Sequence, residues 1–147
     1  MRTSMTPANP KYFVDTNILI YAHDLEAGLK HERALKLIEH LWTTGQGALS
    51  TQVLQELCVN LRRRVARPLP SDELAKLIED YLSWEVVVNT PQAIVAALGI
   101  EARYKVSYWD ALILHAAESC GAEVLYSGDL SHGQRYGGVE VVDPLRG

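Results

Sequence analysis

Four acids stand where a folded chain can bring carboxylates together. Asp15 closes the apolar run YFVD and Asp129 closes VLYSGD, while Glu56 lies in TQVLQELCVNLRRR and Asp110 in SYWDALILHAA. Carboxylates gathered at one point repel one another unless protons or a cation relieve them. A hard divalent cation with oxygen ligands is the natural occupant of such a cluster. Each acid also has a plainer reading. An aspartate that follows a strand often makes a turn or caps the next helix. At about 100° per residue, Asp110 points between Ile113, Leu114 and Ala117, toward the side that its helix should bury. With Ser107 as N-cap, Asp110 also falls in the first turn, where free backbone N–H groups and the helix dipole favour an acid. Glu56 shares a stripe with Gln52, Asn60, Arg63 and Arg67, opposite Leu54, Leu57, Cys58, Leu61 and Val65. By periodicity alone that stripe reads as a solvated face.

The elements that carry these acids alternate in type. Tyr12–Asp15 is a short apolar strand, and a helical pattern follows through about Asp24. His31–Trp42 places Leu35, Ile38 and Trp42 on one helical stripe and closes at Gly45. A brief strand at Ala48–Thr51 runs into a helix from about Gln52 to Arg64. Pro68 and Pro70 break the chain, and Ser71 then caps a helix whose stripe holds Leu74, Leu77, Ile78 and Leu82. Glu85–Val88 is β-branched and apolar, and Thr90-Pro91 opens a helix reaching about Tyr104. The Asp110 helix ends at Gly121, EVLYSGD is a further strand, SHGQRYGG is a glycine-rich loop, and VEVV is the last strand.

Short apolar strands alternating with helices predict one α/β domain, a parallel β-sheet sandwiched between α-helices. Ligands of such sheets bind beyond the carboxyl ends of the strands, which is where Asp15 and Asp129 fall. Asp110 begins the helix that feeds the strand before Asp129. On chain order, its end of that helix is expected across the sheet from Asp129.

Composition narrows the class. The chain has 147 residues, 48% of them hydrophobic, enough for one core. Its apolar runs fall far short of the ~20 residues that cross a bilayer, and MRTSMTPANPK holds no apolar signal segment. A cytoplasmic protein with no membrane association is expected. Cys58 and Cys120 lack CxxC spacing, and the five histidines form no HExxH pattern, which disfavours a disulfide framework or zinc. No GxxxxGK[ST] phosphate loop occurs. A haloacid-dehalogenase-type nucleophile needs an aspartate where Asn17 stands, and a receiver domain needs one where Asn89 and Thr90 stand. The net charge of −4 argues against blanket attraction to nucleic acid but leaves room for a local basic patch.

FVDTNILIYAHD, STQVLQELCVNLRRR, YWDALILHAA and VLYSGDLSHGQ, in this order, resemble the PIN domain, specifically the VapC-type toxin ribonucleases, from Tyr12 to Pro144. The resemblance implies that Asp15, Glu56, Asp110 and Asp129 form the acidic pocket of a metal-dependent endoribonuclease, with Asn17 and Ser127 as supporting polar residues. It thereby implies that Asp110 reaches the pocket despite the chain order. Asp15, Asp110 and Asp129 are the expected ligands of Mg²⁺, with Mn²⁺ as an alternative, and Glu56 the group that orients or deprotonates water. The tail departs from the Asn-Pro-Phe common in similar toxins: Asp143-Pro144-Leu145 stands there, so Asp143 is an extra acid of open role.

An acidic pocket repels RNA, so phosphates need cations nearby. Arg63 and Arg67, within the Arg62–Arg67 cluster, are expected on the Glu56 face; Arg103, Lys105 and Arg135 are weaker candidates. His132 is the candidate acid of a metal-independent alternative. The resemblance further implies a small cognate antitoxin and a homodimer. The Leu35 and Leu74 stripes are candidates for an antitoxin groove, with ordinary core packing as the competing reading. The non-enzymatic alternative is an inert PIN-like module that binds RNA or a partner. Residues 1–11 are expected to be an N-terminal extension to a domain spanning 12–147, with Met1 or Met5 as start.

Overall fold

Two glycines and a tryptophan show how tightly the sheet is laid down. Gly47 opens a strand so close to the Trp84 ring that a Cβ there would sit 2.6 Å from its carbons. Gly45, just before it, ends the preceding helix in the left-handed region, φ +70°. The computed structural model describes residues 10–146. In chain order the elements are β1 (Lys11–Val14), α1 (Thr16–His23), α2 (Leu29–Thr44), β2 (Gly47–Ser50), α3 (Thr51–Arg63) and α4 (Ser71–Tyr81). They continue with β3 (Glu85–Val87), α5 (Pro91–Tyr104), α6 (Tyr108–Ser119), β4 (Ala122–Tyr126), β5 (Arg135–Tyr136) and β6 (Val139–Val142). The start expected at Met1 or Met5 lies outside the described residues.

The strands form one sheet in the order β3-β2-β1-β4-β6-β5. All neighbours are parallel except β5, which pairs antiparallel with β6. The expected α/β domain with a parallel sheet is observed, and the sheet departs from it at the antiparallel edge strand β5. From β1 the chain steps outward through β2 to β3, then returns to lay β4 on the other side of β1. Right-handed crossovers place helices on opposite faces when the direction of travel reverses. The packing agrees: α1 packs on α2 and α3, and α3 on α4, whereas α5 and α6 pack on each other. The reversal also opens a crevice between the carboxyl ends of β1 and β4.

Phe13, Val14, Leu49, Leu125 and Val141 carry the sheet into the core, where Ile18, Leu57, Leu61 and Ile113 meet it from the helices. Trp42, Tyr81 and Trp84 stack edge and tilt at 5.1–5.3 Å between ring centres, locking α2, α4 and the turn before β3 together.

Several expectations are corrected. Ser71 starts α4 rather than capping it; Pro70 holds the capping position with no side-chain hydrogen bond. The loop read in SHGQRYGG contains β5, because Gly137 (φ +62°) and Gly138 close a two-residue hairpin that pairs Tyr136 with Val139. α3 ends at Arg63 and Arg64 leaves helical geometry. Arg67 is thus off the Glu56 helix, and its guanidinium lies 3.4 Å from Glu26. Of the two stripes considered for an antitoxin groove, Ile38 and Leu74 are buried and Leu35, Leu77 and Ile78 half-buried, so most of both belongs to the core. Trp42 and Leu82 keep exposed surface.

The placement of Asp110 is the instructive correction. A helix that precedes a parallel strand runs antiparallel to it, so α6 begins at the edge where β4 ends. Its first turn lies beside Asp129, not across the sheet from it.

Candidate metal centre

Asp15 follows the last residue of β1, and its backbone N–H still donates to Tyr126 O at 2.9 Å in the ladder with β4. Its side chain caps α1, with Oδ1 accepting the Thr16 N–H at 2.7 Å. The positive end of α1 therefore meets a carboxylate. Oδ2 accepts the Ser127 hydroxyl at 2.9 Å, and the residue is 5% exposed. Ser127 Oγ in turn accepts the backbone N–H groups of Asp129 (3.1 Å) and Leu130 (3.4 Å), which folds the chain after β4 back over the strand ends. Asn17 completes the reciprocal tie, its Nδ2 donating to Asp129 Oδ2 at 2.7 Å. Each strand end thus supplies one carboxylate and one polar group that holds the other's carboxylate.

Asp110 arrives from the opposite face of the sheet. Ser107 caps α6, accepting the Asp110 N–H at 3.1 Å, so the plain reading of Asp110 as a first-turn acid describes its backbone. Its side chain does more. Carboxylate oxygens of Asp15, Asp110 and Asp129 all lie within 4.8 Å of one another. Glu56 lines the same cleft from α3 and accepts the Thr16 hydroxyl at 2.6 Å. Gln52 Nε2 reaches Glu56 Oε2 (3.4 Å) and the Trp109 carbonyl (3.3 Å), bridging α3 to the start of α6.

This geometry raises two acids. Burial dominates at Asp15, and the charges of Asp129 and Asp110 add to it; the Thr16 N–H and the Ser127 hydroxyl oppose. The balance pushes its pKa from 3.8 to about 7. Asp110 is raised by burial first, with Asp129 and Glu56 adding to it against its hydrogen bond with Ser107. A bound divalent cation relieves the same repulsion by taking the place of the protons. Three oxygen donors from three separate elements fit a hard cation such as Mg²⁺ or Mn²⁺, and among the described residues no thiolate or imidazole joins the cluster to favour a softer one.

The cleft measures about 480 Å³. Arg64 lines it, whereas Arg63 and Arg67 do not; the cation on the rim comes from the residue at which α3 unwinds. Thr16, Gln52 and Trp109 also line it and were not singled out by sequence. Gln52 stood on the Glu56 stripe and was legible as its neighbour; Thr16 and Trp109 carry no spacing signal. His132 lies on the surface, where its Nδ1 accepts the Asp143 N–H at 3.0 Å, tying the loop to the end of β6. Asp143 in turn holds a turn, accepting the Leu145 N–H at 2.9 Å. Arg135 lies 3.7 Å from Glu140, and Lys105 ends α5 in the left-handed region.

Comparison with known families agrees with this architecture. The PIN-domain profile matches residues 12–136, and the chain belongs to the PIN-domain family. No curated protein matches it. Its fold is shared with a toxin–antitoxin complex from Klebsiella pneumoniae at 22% identity and a TM-score of 0.67, covering 91% of this chain and 98% of that one. VapC20 of Mycobacterium tuberculosis, described as a sarcin–ricin loop cleaving toxin, is similar at 20% identity and 0.62, covering 81% and 90%. DNA-bound VapBC from Salmonella typhimurium is similar at 23% identity and 0.62, covering 92% and 98%. Among the described residues no helix is long and apolar enough to cross a membrane.

Proposed function

We propose that this protein is a metal-dependent endoribonuclease acting as the toxin of a toxin–antitoxin pair. The observation that carries the reading is the convergence of Asp15, Asp110 and Asp129 to within 4.8 Å at the sheet's switch point, with Glu56 anchored beside them. Those three carboxylates would hold Mg²⁺ or Mn²⁺. When bound, the cation would supply positive charge against the phosphate and the leaving oxygen and make water more acidic. Glu56, steadied by Thr16 and Gln52, orients the attacking water and takes its proton. Water oxygen bonds to phosphorus as the bond to the 3′-oxygen breaks, and the departing oxygen takes a proton from solvent, leaving a 5′-phosphate and a 3′-hydroxyl; the 2′-hydroxyl takes no part. Ser127 and Asn17 keep Asp15 and Asp129 aimed, as supporting groups at metal sites do. Arg64, rather than Arg63 or Arg67, offers a flanking phosphate its cation.

Similarity to complexes of toxins with antitoxins supports a small cognate antitoxin as partner, and we extend the reading to a homodimer in the cytoplasm. Purified protein incubated with mixed cellular RNA in Mg²⁺, in Mn²⁺ and in excess EDTA tests the chemistry, with Asp15→Asn alongside. Cleavage that needs metal, disappears in the variant and leaves 5′-phosphate ends is the expected result. Cleavage that persists in EDTA sinks the metal mechanism and brings His132 forward. Absence of cleavage and of Mn²⁺ binding favours an inert binding module.

A further inference from the structure

We propose that Trp109 is the platform on which an unpaired nucleobase stacks beside the scissile phosphate. The inference rests on the ribonuclease reading above and adds a specificity residue to it. Trp109 is 61% exposed, directly precedes Asp110, and forms part of the cleft wall. A lone exposed hydrophobic side chain is ordinary on a protein surface. Here the surroundings are not. Most of the cleft lining is polar, with four acids, four amides, Thr16 and Arg64; of its apolar groups Ile113 is buried and Val59 on α3 is 40% exposed, so Trp109 is the large exposed ring among them.

The ring is packed on one edge and its backbone is tied down. Tyr108 meets it edge-on at 5.1 Å with planes 76° apart, and the backbone carbonyl of Trp109 accepts a hydrogen bond from Gln52 of α3. A pre-set aromatic face loses little freedom on binding. An acidic cleft gains no Coulombic grip on RNA from its carboxylates, so affinity must come from cations on the rim or from contacts insensitive to charge. Stacking of a base on an aromatic ring is such a contact. Arg64 lies about 12 Å along α3 from Glu56, at helical rise, and takes a neighbouring phosphate. A base within a duplex already has both faces covered, so only an unpaired one can use Trp109.

The test uses the full chain in the Asp15→Asn background, which binds without cutting. The probes are a pool of fluorescent single-stranded 8-mer RNAs and the same strands annealed to complements. Trp109→Ala is expected to weaken single-strand binding about 5- to 100-fold, the range of one stacked base. Trp109→Phe should recover most of that loss, and duplex affinity should change little. Strand binding should quench tryptophan emission in the parent and not in Trp109→Phe, since Trp84 is buried and Trp42 packs against Tyr81. With Asp15 restored, Trp109→Ala should raise KM more than it lowers kcat. Melting curves confirm that each variant is folded.

If the protein with Asp15 cleaves RNA in Mn²⁺ while Trp109→Ala binds and cuts single strands as its parent does, the stacking assignment is overturned. The ring then belongs to a protein contact, and the ribonuclease reading stands. If the protein neither cleaves nor binds any strand, the ribonuclease reading falls and this inference with it.

Discussion

Burial takes the Asp15 carboxyl out of water, and the Thr16 N–H and Ser127 hydroxyl return only part of what is lost, so its pKa rises to about 7. Folding stability in the metal-free protein follows from that shift. Below pH 3.8 both the folded and unfolded chains carry the proton. Between 3.8 and about 7 the unfolded chain releases a proton that the folded chain keeps, and stability falls as pH rises. Above about 7 the deficit is complete, of order 4 kcal/mol. Asp15→Asn removes the buried charge. In EDTA its Tm should exceed that of the parent at pH 8 and match it near pH 4, measured by circular dichroism. Metal-dependent cleavage should be lost at the same time. Ser127→Ala leaves the ligands in place and removes one support, so Mn²⁺ affinity should drop ~10- to 100-fold in a titration. Equal losses in the two variants would mean that Ser127 does more than aim a carboxylate.

At the scale of elements, the centre depends on where strands and helices stop. β1 and β4 end at Val14 and Tyr126, so Asp15 and Ser127 occupy the first turns beyond the sheet. α6 begins at Tyr108 under the Ser107 cap, which fixes the position of Asp110. α3 starts at the site edge and carries Glu56 in its second turn, and that start is set by β2, whose last residue, Ser50, caps it by accepting the Val53 N–H at 3.3 Å. β2 is seated by the contact of Gly47 with Trp84. Gly47→Ala forces a Cβ into that ring and should cost ~1–3 kcal/mol of stability in a urea melt. A melt unchanged from the parent would mean that the Trp84 ring moves freely, and that β2 is placed by its ladder alone. The elements also explain a misread. Helical spacing extended past Arg63 puts Arg67 on the Glu56 face, but the helix stops, and Arg64 turns onto the cleft instead.

For the whole molecule, a net charge of −4 and a cluster of acids at one crevice make cation binding a stabilising event. A ligand that binds only the folded state at 100 times its Kd adds ~2.7 kcal/mol. Mn²⁺ should therefore raise Tm in a concentration-dependent way. Because Asp15 must lose its proton to bind, the Mn²⁺ concentration giving a fixed rise should fall as pH goes from about 6 to 8. A Tm shift indifferent to pH would place the cation away from Asp15.

Local pattern alone determined the α/β class, most element positions, and the fact that Asp15 and Asp129 end strands, because alternation, caps and breakers act over a few residues. The short β5 escaped it: two residues carry no period, and their pairing is defined by a partner strand. Periodicity also read Glu56 as a surface acid, since it sees one helix and not what that helix packs against; only the resemblance of the motifs brought Glu56 and Asp110 to the pocket. The tertiary structure decided the rest. Convergence of three carboxylates from β1, α6 and β4, the anchoring of Glu56 by Thr16, and the exposure of Trp109 on the cleft wall depend on residues far apart in sequence, such as Ser127 and Asp15 at 112 positions. Such contacts follow from strand order and crossover hand, which no local spacing encodes.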